Sequence, residues 1–321
     1  MSNILITSAG RRVDLVDSFK IESRKLDRKL KVFCVDLNPE LSPACQVADS
    51  YFLAPRVTSD EYISFLKQLC FENFITLIVP TIDTELLILS RHREEFLGHG
   101  INIVISDSLI IEECRDKNYT SNLLNTIDIN TPIIYNAKKI KYPCFVKPYD
   151  GSSSLGAFAL NDESMLTEDI LKNPKNMFME LVPKSYDEYT VDVYFDKSGN
   201  LKSLVPRLRI ETRAGEVSKG LTSKGSVYDY LKVRLSNLKG ARGCITLQLF
   251  VNLKEWSFKA FDINPRFGGG YPLSYAAGAN FPKMLIQEYI LEEDLDFIDD
   301  WEDNLLMLRY DSKILIHDYK S

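Results

Sequence analysis

Hydrophobic and polar positions follow two different patterns along the chain, and the change comes near residue 108. In the first third, short apolar runs alternate with segments that carry apolar residues at helical spacing. Continuous apolar runs are typical of strands buried on both faces of a parallel sheet. The pattern therefore predicts a parallel sheet with helices on both faces, the helices covering 11–26, 60–73 and 84–100. The predicted strands are "NILITSAG" (3–10), "KVFCVDLNP" (31–39), "ITLIVPTID" (75–83) and "INIVISD" (101–107).

The rest of the chain reads differently. Residues 107–132 have the spacing of one long helix that contains Lys117. After it, apolar and polar residues alternate in "EYTVDVYF" (188–195) and "CITLQLFV" (244–251), which is typical of antiparallel strands with one wet face. "LLMLRYD" and "KILIHD" near the end predict a closing strand pair. This part of the chain is predicted to have an α+β fold.

The change of pattern divides the chain into four predicted segments. A parallel-sheet, Rossmann-like domain is expected over residues 1–108. Two α+β lobes are expected to follow, over 109–183 and 184–295. The last segment, 296–321, holds an acidic stretch and the predicted strand pair.

Composition narrows the partners of the chain. A net charge of -6 and a pI near 5.3 argue against a broad nucleic-acid-binding surface. No apolar stretch approaches membrane-spanning length, and the first residues lack the features of a signal peptide. Six cysteines without a CxxC pair and three scattered histidines argue against a zinc site and a histidine-centred triad. We expect a cytoplasmic protein with reduced thiols and no nucleic-acid or membrane partner.

Polar residues follow the predicted parallel strands, where such sheets gather their ligands. The stretch "TSAGRR" lacks both GxGxxG and GK[ST], so a tight turn is a better interpretation than a dinucleotide site or a P-loop. Arg11 and Arg12, at the start of a helix, could still hold a carboxylate or a phosphate. The other residues at these strand ends are Ser8, Gly10, Asp36, Asn38, Thr81 and Asp83.

Two stretches of the second part suggest nucleotide binding. Lys147 ends a strand and is followed by the small, hydroxyl-rich loop from Gly151 to Gly156, which suits phosphate oxygens but also an ordinary hairpin turn. Glu180 interrupts the apolar run from Met177 to Val182, and Glu188 opens the next strand. An exposed strand edge with carboxylates could pair with adenine and ribose. An ordinary edge strand with a solvent-facing glutamate is the alternative.

A third stretch, "FDINPRFGGG" from residue 261, suggests a metal site. Asp262 and Asn264 are two apart and share one face of a strand, and an antiparallel neighbour can bring Gln248 opposite them. Three oxygen donors suit Mg²⁺, although a polar outer sheet face is the alternative. Arg266 beside them suits a transferring phosphoryl group. The three glycines that follow could let backbone approach a substrate or could form a simple turn.

In this order, the motifs resemble those of the ATP-grasp superfamily. The resemblance is strongest to single-copy proteins similar to the carbamoyl-phosphate synthase large chain, a grouping that includes PylC-like amide ligases. It implies a pre-ATP-grasp domain over the first segment and the two ATP-grasp lobes over the next two. It also implies Mg-ATP between the lobes and an ATP-dependent carboxylate–amine ligase that forms an acylphosphate. A carbamoyl-phosphate-synthase-like activity on a small acid and a non-catalytic ATP-binding sensor are the alternatives.

The resemblance also implies roles for individual residues. It assigns two Mg²⁺ ions, or Mn²⁺, to Gln248, Asp262 and Asn264, although the family usually has glutamate where this chain has Asp262. Arg266 and Lys147 take the catalytic roles. ATP is assigned to Lys117 and Lys147 (phosphates), to Gly151, Ser152, Ser153, Ser154 and Gly156 (lid), to Glu180, Leu181 and Val182 (adenine), and to Glu188 (ribose).

The substrate region has no family-wide pattern. The stretch 205–225 is rich in arginine and lysine around glycines, so it could clamp an acid or could be a solvated basic hairpin. The candidates are Arg207, Arg209 and Arg213, with Arg11 or Asp83 closing the pocket from the first domain. The expected partners are a small carboxylate and a small amine, and the family suggests a homodimer.

Overall fold

The first part of the molecule is a parallel five-stranded sheet. A computed structural model describes residues 2–26, 29–151, 155–213 and 215–319 of the chain. The sheet has the strand order β3-β2-β1-β4-β5. Residues of β1 alternate between two hydrophobic clusters, with Ile4 and Ile6 in one and Leu5 in the other, so the sheet is buried on both faces. The strands are β1 (Asn3–Thr7), β2 (Val32–Asp36), β3 (Ser50–Leu53), β4 (Ile75–Val79) and β5 (Asn102–Ile103).

The helices of this part differ from the prediction in two places. The predicted helix 84–100 is two helices, because the backbone turns at His92. Strand β3 and a short helix before it were not predicted. The helices are α1 (Val13–Lys25), α2 (Pro43–Val47), α3 (Tyr62–Glu72), α4 (Asp83–Arg91) and α5 (Arg93–Leu97), with a 3-10 turn at Pro39–Leu41.

The single helix predicted over 107–132 is also two helices, α6 (Ser108–Arg115) and α7 (Lys117–Thr126). Asp116 between them has an extended backbone, and its side chain accepts a hydrogen bond of 2.8 Å from the backbone N–H of Asn118. This is an N-cap, and it places Lys117 at the first position of the second helix. The prediction of Lys117 inside a continuous helix was wrong.

A small antiparallel sheet follows, with the strand order β6-β9-β7-β8. Strand β9 lies between β6 and β7, so the prediction of an edge strand around Glu180 was wrong. The strands are β6 (Ile134–Tyr135), β7 (Cys144–Pro148), β8 (Phe158–Leu160) and β9 (Asn176–Glu180), with helix α8 (Glu168–Lys172) and a 3-10 turn at Glu163–Met165.

The third sheet is antiparallel and has the order β14-β13-β10-β11-β12-β15. One face packs on a large hydrophobic cluster that also includes residues of α1 and of the helices α9 (Ser226–Leu235) and α11 (Phe281–Tyr289). The other face is polar and carries the candidate site. The elements are β10 (Asp187–Phe195), β11 (Leu201–Arg213), β12 (Glu216–Thr222), α9 (Ser226–Leu235), β13 (Gly243–Asn252), β14 (Ser257–Asn264), α10 (Tyr271–Ala276), α11 (Phe281–Tyr289) and β15 (Leu306–Leu308).

The chain does not end in the predicted strand pair. Strand β15 pairs with β12, where Met307 lies opposite Gly220, and residues 309–319 form no strand. The apolar residues 314–316 are exposed and belong to no strand. The fold class of a parallel sheet followed by antiparallel α+β lobes is confirmed, while the segment boundaries at 108, 183 and 295 stay predictions.

Candidate active site

A row of polar side chains crosses the polar face of the large sheet. Asp262 on β14 lies opposite Gln248 on β13, Gln248 lies opposite Thr190 on β10, and Thr190 lies opposite Arg207 on β11. Residues directly opposite each other in a ladder point to the same face. The predicted pairing of Gln248 with Asp262 is therefore confirmed, and the row extends further than the sequence indicated.

A second row lies two residues further along the strands and therefore on the same face. It contains Asn264, Thr246 and Asp192. The buried carboxylate of Asp192 accepts hydrogen bonds from Arg207 Nε at 2.8 Å and from Ser274 Oγ at 2.6 Å. These bonds fix the orientation of the Arg207 guanidinium.

Arg207 is buried but only partly bonded. Its side chain is 1% exposed, and its Nη1 and Nη2 atoms have no hydrogen-bond partner among the described residues. A buried cation with an unpaired donor destabilises the folded protein, because burial removes the alternative of bonding to water. A ligand that accepts a hydrogen bond from the donor relieves this cost. Arg207 is one of the residues that line the cleft described below.

The three glycines after Arg266 are needed for space. A Cβ on Gly268 would lie 2.8 Å from Thr246 Oγ1, and one on Gly269 would lie 3.2 Å from the carboxyl carbon of Glu216. A Cβ on Gly270 would overlap Nη1 of Arg207. The glycines therefore let the backbone pack against side chains of the site, a role that neither prediction for them included.

The first row, the three glycines, and Asn264 and Thr246 of the second row line a cleft of about 510 Å³ where the three sheets meet. The parallel sheet contributes residues from its strand ends, the small sheet contributes β7 and β9, and the large sheet contributes its polar face. A cleft at such a junction is a common place for small-molecule binding. The charged residues that line it are Arg12, Asp83, Arg115, Lys117, Lys147, Glu180, Glu188, Arg207, Arg209, Glu216, Asp262 and Arg266.

Two lysines approach the Asp262 end of the row. Lys117 Nζ donates to the carbonyl oxygen of Gly151 at 2.8 Å and lies 3.5 Å from Asp262 Oδ1. Lys147 Nζ lies 3.5 Å from the carbonyl oxygen of Phe261 and 5.6 Å from the centre of its ring. Burial, partly offset by the charge of Asp262, lowers the pKa of Lys147 to about 8. Two ammonium groups beside one carboxylate leave a local excess of positive charge.

Arg266 connects the large sheet to the parallel sheet. Its Nη2 atom donates to Asp83 Oδ2 at 2.7 Å and to Asn264 Oδ1 at 3.2 Å. The loop that presents Asp83 is held by the buried carboxylate of Glu85, which accepts from the backbone N–H groups of Thr81 and Ile82 at 2.8 and 3.1 Å. Burial raises the pKa of Glu85. The position of Asp83, and through it that of Arg266, depends on this buried acid.

Arg12 and its neighbour Arg11 point to different places. Arg12 donates to the carbonyl oxygen of Thr81 at 3.0 Å and lines the cleft. Burial, together with the nearby charge of Arg266, lowers the pKa of Arg12 to about 10. The Arg11 side chain is 80% exposed and lies 3.5 Å from Glu216. Of the two arginines considered at this helix start, only Arg12 reaches the cleft.

Both candidate glutamates of the nucleotide region have protein partners. Glu180 forms an ion pair with Lys259 and accepts from the backbone N–H of Ile133 at 3.2 Å. Glu188 lies 2.9 Å from Arg209 Nη1, and burial raises the pKa of Glu188 despite that arginine. Glu180 and Glu188 both line the cleft, at the side where β9 ends.

The predicted metal ligands form a sparse set. Within the described ranges, no group of three or more histidine, cysteine, aspartate or glutamate side chains could hold a metal ion. Asp262 supplies one carboxylate, and Gln248 and Asn264 can supply amide oxygens on the same face. Hard oxygen donors of this kind suit Mg²⁺ when phosphate oxygens and waters complete the shell. The residues therefore fit a magnesium ion that arrives with a phosphate ligand.

Family comparisons agree with this architecture. Residues 4–104 match the family described as PylC-like, N-terminal domain. Residues 172–305 match the family described as ATP-grasp in the biosynthetic pathway with Ter operon. The second match assigns residues 172–305 to the ATP-grasp superfamily. None of the curated protein sequences compared with it matches.

Solved structures share the fold of this ATP-grasp protein at low sequence identity. The biotin carboxylase domain of Hydrogenobacter thermophilus 2-oxoglutarate carboxylase has a TM-score of 0.74 and 15% identity, over 95% of this chain and 73% of that one. Staphylococcus aureus N5-carboxyaminoimidazole synthetase has a TM-score of 0.70 and 15% identity, over 95% of this chain and 79% of that one. Bacillus licheniformis L-amino acid ligase has a TM-score of 0.67 and 18% identity, over 90% of this chain and 74% of that one. In the described part of this chain, no helix has the length and apolar character needed to cross a membrane.

The ATP-grasp cleft gathers most of the residues predicted from the sequence. Arg213, in contrast, is 66% exposed and pairs with Asp311. Neither Arg11, Arg213 nor Gly156 is among the lining residues, and Ser152, Ser153 and Ser154 lie outside the described residues. The predicted residues that line the cleft are Asp83, Lys117, Lys147, Gly151, Glu180, Leu181, Val182, Glu188, Arg207, Arg209, Gln248, Asp262, Asn264 and Arg266. Their roles stay predictions.

Sequence reasoning missed the residues that support this ATP-grasp site. Asp192 and Thr246 fix Arg207 and the backbone of Arg266, and Glu85 holds the Asp83 loop. Asp192 could have been found, because it is two and four residues from Thr190 and Glu188 and shares their strand face. Glu85 gave no such signal, because a glutamate in the first turn of a helix is ordinary.

Proposed function

We propose that the protein is an ATP-dependent carboxylate–amine ligase that works through an acylphosphate. The observation that carries the proposal is the polar row from Asp262 to Arg207, with Lys117 and Lys147 at one end and an unpaired guanidinium edge at the other. One end suits the phosphates of a nucleotide, and the other suits an acid. An amide-forming ligase needs both in one cleft.

ATP binds at the Asp262 end in this proposal. Lys117 and Lys147 bind its phosphates, and the loop from Gly151 to Gly156, with Ser152, Ser153 and Ser154, covers them. Glu180, Leu181 and Val182 contact adenine, and Glu188 contacts ribose. Their support is that Glu180 ends β9, that Leu181 and Val182 follow it and that all three line the cleft. Glu188 lines the same cleft and lies opposite Phe250 on the neighbouring strand.

Gln248, Asp262 and Asn264 would hold the metal. We propose two Mg²⁺ ions, with Mn²⁺ as a substitute. The H. thermophilus domain was crystallised with MgADP, and the S. aureus synthetase with ADP. Bound metal would neutralise charge on the transferring phosphoryl group.

The reaction has two balanced steps. A carboxylate oxygen of the acid attacks the γ-phosphorus of ATP, the bond from that phosphorus to the β-phosphate oxygen breaks, and ADP leaves. The amine nitrogen then attacks the acyl carbon, the bond from carbon to the phosphate oxygen breaks, and the amine proton leaves with the phosphate. Lys147 and Arg266 stabilise the charge on the phosphoryl group during the first step. No side-chain nucleophile is required.

Location and assembly are part of the proposal. We expect a cytoplasmic enzyme with small-molecule substrates and no nucleic-acid partner. A homodimer is proposed because the H. thermophilus biotin carboxylase domain, which shares this fold, is described as a dimer.

The test is a screen for ADP and phosphate release from MgATP in the presence of paired small acids and amines. An active pair is then repeated with the acid carboxylate labelled with ¹⁸O. We expect one labelled oxygen in the released phosphate, because the acylphosphate transfers the carboxylate oxygen to phosphorus. Omitting the amine should abolish amide formation.

Three outcomes would contradict the proposal. ATP binding without turnover on any pair would favour a non-catalytic sensor. Turnover with unlabelled phosphate would exclude an acylphosphate. Carbamoyl phosphate as the product, formed without an organic acid, would support the carbamoyl-phosphate-synthase-like alternative.

A further inference from the structure

We propose that Arg207 and Arg12 form the carboxylate subsite that binds the acid substrate, with Gly270 setting the position of the Arg207 guanidinium. This inference rests on the proposed ligase function and names the side chains that select its acid. It also gives the N-terminal domain a direct part in substrate binding.

The first support is the state of Arg207. Asp192 occupies its Nε edge, so the guanidinium cannot rotate freely. Its two buried Nη groups have no partner among the described residues, and Arg207 is one of the residues that line the cleft. Two parallel N–H groups on a planar guanidinium match the two oxygens of a carboxylate. A ligand that accepts from both would satisfy donors that the protein itself leaves unpaired.

The second support is the charge of Arg12. This side chain donates to a carbonyl oxygen, that of Thr81, and pairs directly with no carboxylate in the described ranges. Asp83 and Glu216 are near enough to favour its charged form, while Arg266 opposes it. A half-buried cation without a directly bonded anion attracts an anionic ligand.

The third support is the distance from the nucleotide end. Arg207 is on β11 and Asp262 is on β14, so their backbones are three strand spacings apart, or roughly 14 Å at about 4.8 Å for each spacing. Lys117 and Lys147 lie near Asp262. The free edge of Arg207 is therefore placed for a second ligand, beyond the residues assigned to the nucleotide phosphates.

Gly270 explains why the guanidinium stays where it is. A Cβ at this position would overlap Nη1 of Arg207 and would lie 2.7 Å from Val217 Cγ1. The backbone of Gly270 has φ -93° and ψ 1°, which alanine can also adopt. The variant Gly270→Ala therefore displaces the guanidinium while it keeps every charge in the cleft.

The experiment uses the full chain saturated with the magnesium complex of AMP-PNP, a non-hydrolysable ATP analogue, so that all three nucleotide phosphate positions are filled. Calorimetry then measures binding of acetate, succinate and L-alanine, with inorganic phosphate as the competing anion and succinamide as the uncharged control. We expect at least one carboxylate to bind more tightly than inorganic phosphate and succinamide not to bind.

Three variants test the residues. Arg12→Gln, Arg207→Lys and Gly270→Ala should each weaken carboxylate binding by about tenfold or more, the loss expected for a charged hydrogen bond. Affinity for the magnesium complex of AMP-PNP should stay within about twofold of wild type. The matched control is Arg24→Gln, the same change at an exposed position further along α1, which should alter neither affinity. Circular dichroism checks that each variant is folded. If Arg207→Lys does not fold, Arg12→Gln and Gly270→Ala still test the subsite, because both retain Arg207 as the partner of Asp192.

The outcomes separate the two proposals. Failure of the wild-type chain to bind the magnesium complex of AMP-PNP would overturn the ligase function. Binding of that complex without binding of any of the three carboxylates would overturn the subsite alone. Equal loss of AMP-PNP and carboxylate affinity in the variants would make these arginines phosphate ligands, and tighter binding of inorganic phosphate than of all three carboxylates would also reject a carboxylate subsite.

Discussion

The parallel sheet and the large antiparallel sheet supply the cleft in different ways. The parallel sheet is covered on both faces, so it contributes only from its strand ends, where Arg12 follows β1 and Asp83 follows β4. The antiparallel sheet has one free face and contributes side chains in register, from Asp262 to Arg207. The parallel sheet therefore contributes residues that follow its strands. The antiparallel sheet contributes two rows of side chains, from Asp262 to Arg207 and from Asn264 to Asp192, and these rows are called the grid below.

The difference concerns how firmly each residue is held. A side chain on the grid is fixed by the strand ladder, on both sides for β13, β10 and β11 and on one side for the edge strand β14. A side chain at a strand end is fixed by whatever holds the loop, which for Asp83 is the buried carboxylate of Glu85. We therefore expect substitutions on the grid to change ligand binding directly. At the strand ends, Arg12 is proposed to contact the acid itself, whereas substitution of Asp83 should act through Arg266, the residue that it positions.

The largest expected effect is that of Asp262→Asn on the grid. This change keeps the shape of the side chain and removes the one carboxylate of the metal set. We expect Mg²⁺ to strengthen ADP binding in wild type and the variant to lose at least about 100-fold of Mg²⁺-dependent affinity, because even outer partners of a metal site are worth 10- to 100-fold. Calorimetry with and without Mg²⁺ measures it.

The control for Asp262→Asn is Asp187→Asn, the same change at an exposed position on β10. Its Mg²⁺-dependent affinity for ADP should match wild type. An Asp262→Asn variant with unchanged Mg²⁺ dependence would remove the metal role from the grid, and the comparison between the two sheets would lose its main support.

A smaller effect concerns Lys147, which extends from β7 of the small sheet toward the backbone of β14. Burial lowers the pKa of Lys147 to about 8, so the side chain is mostly charged below pH 8 and mostly neutral above it. Binding of nucleotide phosphates needs the charged form and must take up a proton above this pH. Affinity for MgADP should therefore fall by about fivefold between pH 8 and pH 9, as the charged fraction falls. Calorimetry in buffers of different ionisation enthalpy would also detect the proton uptake.

The matched control for this pH dependence is Lys147→Arg. A guanidinium keeps its charge through this pH range, so the fall in affinity between pH 8 and pH 9 should disappear. Persistence of the same fall in the variant would assign the titration to another group and would leave Lys147 without the phosphate role.

Much of the grid could be predicted from the sequence, because residues two apart on a strand share a face. The positions of Asp262 and Asn264 needed only this rule, and an antiparallel neighbour brought in Gln248. The contact between Arg266 and Asp83 could not be predicted, because 183 positions separate the two residues and they belong to different sheets. Long-range pairing depends on how the domains pack, and local patterns carry no information about it.

The fold shows the same limit. Strands buried on both faces were predicted from their apolar runs, but β3 is half exposed and gave no such run. The break at Asp116 was missed because the helical spacing continues across it, while the extended backbone of one residue ends α6. The exclusion of Arg213 also needed the structure, since its strand continues beyond the cleft into solvent. Exposed elements and local breaks depend on contacts that periodicity does not describe.

The smallest expected effect is that of Asp83→Asn at a strand end. The change keeps a hydrogen-bond acceptor for Arg266 and removes the charge of the pair, which is only partly exposed. We expect the free energy of unfolding to fall by about 1 kcal/mol, near the upper end for ion pairs of this exposure. The control Asp60→Asn, at an exposed position of the same domain, should change it by less than about 0.5 kcal/mol. Chemical denaturation measures both.

Affinity for MgADP is the second measurement on Asp83→Asn, and it tests the comparison directly. If Asp83 acts only by positioning Arg266, the variant should retain MgADP affinity within about threefold, because Arg266 keeps its bonds to Asn264 and to the carbonyl oxygen of Phe267. A loss as large as that of Asp262→Asn would mean that Asp83 itself contacts the nucleotide or its metal. The parallel sheet would then supply a direct ligand at the nucleotide end of the cleft, and there the distinction between strand ends and grid would not hold.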